Sequence, residues 1–236
     1  MLNINFEMLD APIPLGGVTS LVVENKPVFA TLIQNLHAYT EDMLDIRIFD
    51  KKQNQLKTDE LMLVMDVLGY EVNTAATLRH IYSDAENHIS QDPAAKTAIE
   101  DMLGGIYTII YRALIDFIPD LAFNPITLTK AFKALDMQVE VAGNTFLERM
   151  TDIIQVFKYL RKKKLLAVVN LGAYLSPQEM AQVVEYARLQ NITLLLLDNA
   201  PFVLPPEADQ FILDKRLCAV WHKSVSKKMR ETLKKC

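Results

Sequence analysis

Four short runs constrain this chain more than any other feature: Val18–Val23, Leu61–Met65, Leu165–Val169 and Thr193–Leu197. The last three are apolar on almost every residue, and the first is rich in β-branched side chains. A strand that is apolar on both faces needs both faces covered, which favours parallel strands flanked by helices over a sheet open to water. Helix signals lie between the runs. Pro27 sits where a helix can start, with Val28, Ile33 and Leu36 at helical spacing up to Tyr39. An amphipathic stretch extends from about Asn144 to Arg161, and Ser176-Pro177-Gln178-Glu179 is a capping box opening a helix that ends by Asn191. Leu44–Phe49 alternates as a half-buried strand does, Met137–Val141 reads as a strand, and two short strands are expected around Ile212 and Ala219.

Between Val67 and Asp136 the strand signal vanishes. Asn73 or Thr74 caps one helix, and Asp92-Pro93 opens a second that should run to Ile118 before Pro119. Asn124-Pro125 opens a third, ending near Leu135. The expected organisation is an α/β head from residues 1–66 and 137–225, an all-helical insertion over 67–136, and a basic tail over 226–236. With 236 residues, half of them apolar, the chain can bury a substantial core.

An α/β chain invites a nucleotide-binding reading, and the glycines argue against it. There are seven, and none makes a phosphate loop or a dinucleotide fingerprint. The loop after Val18–Val23 reads Glu24-Asn25-Lys26-Pro27, without the glycines that let backbone N–H groups approach phosphate oxygens. Leu194–Asp198 looks like a strand ending in a magnesium-binding Asp, but Asn199 follows where an ATPase commonly has Glu. His37, His80, His88 and His222 form no zinc motif, and Cys218 and Cys236 suggest no disulfide framework. No nucleophile–base set emerges, so the chain reads as not an enzyme.

The formal net charge is −4, and it is unevenly placed: residues 222–236 carry +5, which leaves −9 on the rest. Bulk charge will not bring such a protein to phosphate. The tail reads either as a solvated helix end or as a nucleic-acid or partner contact. Basic residues also cluster at Lys51, Lys52 and Lys57, at Arg79 with Lys96, and at Arg161–Lys164. Asp116 and Asp120 flank a proline break, where loop oxygens could contribute to a hard-cation site. The N-terminus lacks a basic signal-peptide region, and the stretch Gly104–Ile118 is too short and charged to span a bilayer. A cytoplasmic protein with no membrane partner is expected.

The strings NFEMLDAPIPL, ELMLVMDVLGYEVNTAATLRHIYSDAE and FKYLRKKKLLAVVNLGAYLSPQE, closed by FILD, resemble the Csn-two family, accessory adaptation proteins of subtype II-A CRISPR systems. The resemblance runs from about Asn3 to Trp221. It implies a head like a decayed P-loop ATPase with an inserted helical leg, and a homotetrameric ring with a basic channel. It also implies non-catalytic, sequence-neutral binding of double-stranded DNA ends, bound calcium, and partnership with the CRISPR integrase proteins and effector nuclease in spacer acquisition. The positions that match the family's basic pattern include Lys52, Lys57, Arg79, Lys96 and Lys162, Lys163 and Lys164; neighbouring Lys51 is a further candidate. Asp116 and Asp120 are the calcium candidates, in a segment where relatives are more acidic, so weaker or fewer calcium sites are expected. Two other readings stand beside this one: a protein-bridging scaffold without DNA binding, and a nucleotide hydrolase.

Overall fold

The computed structural model describes residues 1–116, 121–122, 124–141, 143–160 and 162–222. The chain divides into two compact units, Met1–Tyr70 with Val141–Cys236, and Glu71–Glu140.

The first unit carries two sheets. β1 (Leu2–Phe6) is the middle strand of an antiparallel trio with β2 (Ile13–Leu15) and β4 (Ile46–Asp50). The larger sheet contains β3 (Val18–Val23), β5 (Leu61–Val64), β6 (Leu165–Val169), β7 (Leu194–Asp198), β8 (Asp209–Leu213) and β9 (Ala219–His222). Its order is β5-β6-β7-β3-β8-β9, with β9 antiparallel and all other pairings parallel. Three of the apolar runs are thus the central parallel strands β6, β7 and β3, and the fourth, β5, is the parallel edge strand. β3, β6 and β7 are buried along their whole length.

Each sheet face has its own core, because alternate side chains leave a strand on opposite sides. On one face, Leu21, Val23, Leu165, Ala167, Leu195 and Leu197 pack against the antiparallel trio and α1 (Lys26–His37). On the other, Val18, Leu166, Val168, Leu194 and Leu196 pack against α5 (Phe146–Tyr159) and α6 (Pro177–Leu189). Capping boxes at Thr145 with Glu148 and at Ser176 with Glu179 fix where these two helices begin. Truncating a fully buried leucine such as Leu196 to Ala would cost about 2–5 kcal/mol.

The second unit contains α2 (Ala75–Ser90), α3 (Pro93–Ala113) and α4 (Leu128–Ala134). Its small core joins Tyr82, Leu128 and Phe132, the two rings 5.8 Å apart, with Leu78, Ile89 and Ile99 packed around them. α3 has no buried residue, and Met102 and Ile109 are each 70% exposed.

Three expectations need correction. α3 ends at Ala113 and not at Ile118: the Leu114 N–H donates to both Ile110 and Tyr111 carbonyls, tightening the final turn. α4 begins at Leu128 and not at Asn124-Pro125, because the Thr127 hydroxyl caps it by accepting from the Lys130 N–H. Met137–Val141 is not a strand. Its backbone groups are satisfied by side chains instead: Asn73 accepts from the Val139 N–H and donates to the Val139 carbonyl, and the Tyr82 hydroxyl donates to the Met137 carbonyl. The N-terminal trio adds β1 and β2, which the sequence reading did not name.

Candidate nucleic-acid interface

At the C-terminal ends of the parallel strands, where open α/β sheets bind ligands, the first βα turn is filled by its own side chains. Asn25 caps α1, its side-chain oxygen accepting from the Val28 N–H at 3.3 Å while its amide donates to the Lys215 carbonyl at 3.4 Å. Pro27 removes another N–H from the helix's first turn. An anion at this helix start would compete with the Asn25 cap for the few donors left.

Asp198 ends β7, the strand directly beside β3, in register with Val22. It is almost wholly buried. Its Oδ1 accepts the Gly172 N–H at 2.9 Å, and its Oδ2 has no hydrogen-bond partner among the described residues. Burial pushes its pKa up to about 7, against the weaker lowering effect of the Gly172 bond. The following Asn199 is exposed. A single half-satisfied carboxylate supplies one of the several oxygens that magnesium takes. The end of β7 is thus closed at Asp198.

The basic candidates fall into separate places. Lys51 and Lys52 lie exposed in the turn after β4, a turn organised by Asp50. The Asp50 carboxylate accepts from the Lys52 and Asn54 N–H groups at 2.7 and 2.9 Å and from the Asn54 side-chain amide at 2.9 Å. Those bonds, led by the Asn54 side chain, hold its pKa below the ordinary value. Lys57 precedes the one-turn 3-10 helix Thr58–Glu60 and donates its N–H to Glu60 at 3.0 Å.

The pairing of β5 with β6 then brings Lys162–Lys164 to the same segment. Lys162 reaches Asp59 at 3.7 Å, Lys164 pairs with Glu60, and Lys163 donates its ammonium to the Leu61 carbonyl. Partial burial lowers the Lys163 pKa, with the nearby Asp59 charge opposing that shift. Glu60 stays below its ordinary value although burial raises it most strongly, because Lys164 and the Lys57 N–H bond the carboxylate. A cavity of about 310 Å³ joins this edge, its lining including Asp50, Asn54, Glu60 and Lys164. Six candidate lysines therefore occupy this region with Glu41, Asp50, Asp59 and Glu60, the first of which accepts from the Thr58 N–H. Lysines 51, 52 and 57 have exposed side chains; Lys163 is used internally.

Arg79 and Lys96 belong to the second unit. Arg79 is exposed on α2, and Lys96, in the first turn of α3, faces Glu100 at 3.9 Å. The Asp59-Glu60 pair is what the sequence reading missed: two adjacent acids ahead of an apolar strand are a visible signal, but their partners sit a hundred residues away. Asp116 is exposed just beyond α3, and Asp120 lies outside the described residues, as do Arg161 and the tail 226–236. Among the described residues, no three His, Cys, Asp or Glu side chains gather as a metal site. Among them too, no helix is long and apolar enough to cross a membrane.

Comparison with known proteins gives this geometry its setting. The family profile described as "CRISPR-associated protein (Cas_Csn2)" matches residues 38–217. The CRISPR-associated protein Csn2 of Streptococcus agalactiae is 36% identical over 215 residues, covering 91% of this chain and 96% of that protein. That of Enterococcus faecalis is 35% identical over 223 residues, covering 94% and 100%. Among solved structures, Stu0660 of Streptococcus thermophilus has a similar fold, with a TM-score of 0.58 at 12% identity over 99% of this chain and 79% of that one. With three quarters of its length matching the family profile and with full-length relatives above one third identity, this chain belongs to the Csn2 family of CRISPR-associated proteins.

Proposed function

We propose that this protein acts in CRISPR spacer acquisition as a non-catalytic ring, a homotetramer that encloses double-stranded DNA near its ends without reading sequence. Family membership supports the adaptation role. The observation that carries the DNA reading is the lysine-rich edge built by residues 51–60 and 162–164 on a chain whose net charge is negative. Attraction to phosphate must then be local, and repetition of the edge around a ring focuses it. Phosphate contacts position a protein and carry no base information. The filled first βα turn supports a role without nucleotide turnover.

The integrase proteins and the effector nuclease are the partners this role implies. Calcium binding belongs to the same reading, with fewer or weaker sites than in more acidic relatives, and calorimetry with calcium alone measures it. The deciding experiment is the solution mass with and without calcium and linear duplex. A tetramer that gains one duplex supports the ring, and a monomer that ignores DNA overturns it. The scaffold reading draws on a different observation, the exposed apolar residues of α3, and it predicts partner capture with no DNA retention.

A further inference from the structure

The stretch 199–206, between β7 and β8, contains Pro201, Pro205 and Pro206, which have no backbone N–H to donate. Among the described residues, two hydrogen bonds hold it. The Gln210 side-chain amide donates to the Phe202 carbonyl at 3.2 Å, and the Ala208 N–H donates to the Pro205 carbonyl at 3.1 Å. The second closes only a local turn. Packing adds the Phe202 ring, which lies against Gly172, and Leu204, both on the core of the α5–α6 face. Asn199, Ala200, Pro201 and Val203 are exposed on either side of the half-buried Phe202. Phe202 is therefore the point at which the stretch is both bonded and packed.

Gly172 joins this stretch to Asp198. Its N–H donates to Asp198 Oδ1 at 2.9 Å, while Oδ2 is buried with no hydrogen-bond partner among the described residues. Asp198, Gly172, Phe202 and Gln210 are thus linked in sequence by a bond, a packing contact and a second bond. The site tolerates a neutral acid better than an anion. Protonated, the carboxyl leaves one polar atom short of a partner; ionised, it is a buried charge with a single hydrogen bond, which costs far more.

Charged neighbours do not offset that cost. Neither β3, nor the rest of β7, nor 170–173, nor 199–206 contains a charged side chain. Of the elements packed at this end, α6 brings Glu179, tied into the Ser176 capping box, and β8 brings Asp209, which alternates onto the other sheet face from Gln210. Glu24 follows β3 and Glu207 follows the stretch. All four are acids. Burial first, and then the Gly172 bond, set the proton affinity of Asp198.

We propose that residues 199–206 form a strap, latched by Phe202 against Gly172, that opens more readily once the Asp198 carboxyl has lost its proton. Opening admits water to the carboxylate. The direction follows from linkage: the closed strap holds Asp198 with a pKa of about 7, against 3.8 in water, so closure is favoured at low pH and loses ground as the pH rises through that window.

Chymotrypsin reads the strap, because it cuts after Phe202 only where the surrounding chain can leave the surface. Full-length protein is digested at pH 5.5 to 7.5, and the first cut after Phe202 is followed by mass spectrometry. Each rate is divided by that of a free peptide of residues 197–208 at the same pH, which removes the protease's own pH dependence. The ratio is expected to rise on the order of tenfold across this range. Asp198→Asn, which keeps an acceptor for Gly172 and cannot ionise, should hold it low and flat. Gly172→Ala, which displaces the ring, should make it high already at pH 5.5. A flat wild-type ratio, or an undiminished rise in the Asn variant, overturns the proposal. Cleavage after Phe157, buried in α5, that rises in step with the Phe202 cut means whole-unit unfolding and overturns it too.

Discussion

The backbone N–H of Gly172 donates to the Asp198 carboxylate at 2.9 Å, tying the turn after β6 to the end of β7. Gly172 itself is pressed against the Phe202 ring, which would clash with any Cβ added there. Asp198 is thus closed in by its own fold at the C-terminal end of β7.

Burial raises the Asp198 pKa from 3.8 to about 7. The folded state therefore holds a proton that the unfolded state releases at lower pH. The stabilisation is fully present below about pH 4, falls as the pH rises toward 7, and is flat above that. The most it can reach is on the order of 4 kcal/mol, from about three pKa units. Asp198→Asn keeps an acceptor for Gly172 and cannot ionise. It is expected to flatten the denaturant midpoint between pH 4 and 7 and to raise it at pH 8. An Asn variant with an undiminished slope would mean that another group titrates.

Gly172→Ala forces the new methyl into the Phe202 ring. A loss of about 1–3 kcal/mol is expected, as for other overpacked sites. Combining it with Phe202→Leu should recover part of that loss. Thermal melts of the two singles and the double measure the coupling, and strict additivity would count against the contact.

The lysines separate by use. Lys163 is half-buried and bonded to the Leu61 carbonyl, so Lys163→Ala should lower stability and leave the salt dependence of DNA binding nearly unchanged. Lys52 is exposed, with its side chain outside the Asp50 turn's bonds. If it meets phosphate, Lys52→Ala should lower the log–log salt slope by about 0.9 for each protomer whose Lys52 contacts the duplex, with no change in melting temperature. The reverse pattern would reassign both residues.

What was legible in the sequence follows from how local each signal is. Val18–Val23, Leu165–Val169 and Thr193–Leu197 announced the parallel sheet because a strand covered on both faces has no polar alternation to confuse it. Ser176 and Glu179 gave the start of α6 because both halves of a capping box lie within four residues. Met137–Val141 misled because its alternating pattern is real but its hydrogen bonds go to Asn73 and Tyr82, over fifty residues earlier. The same distance hid the site. Lys162–Lys164 were visible as cations, whereas the pairing of Lys162 with Asp59 and of Lys164 with Glu60 depends on β5 pairing with β6, which no local pattern encodes.

A ring that encloses DNA must also obey topology. The lysine edge is a local feature of a chain with net charge −4, so a single copy laid on the side of a duplex gains few phosphates and is repelled elsewhere. Closure around the duplex would repeat the edge at every protomer. Such a ring reaches its bound state by threading over an end. Linear duplex should therefore be retained, and a covalently closed circle of the same sequence should bind poorly at the same salt. Cutting the circle once should restore binding, and blocking both ends of the linear form with bulky caps should remove it. Loading should fall steeply with salt, with a slope of about −0.9 for each phosphate neutralised. Equal retention of linear and circular DNA at matched salt would place the protein on the side of the duplex and would exclude the enclosing ring.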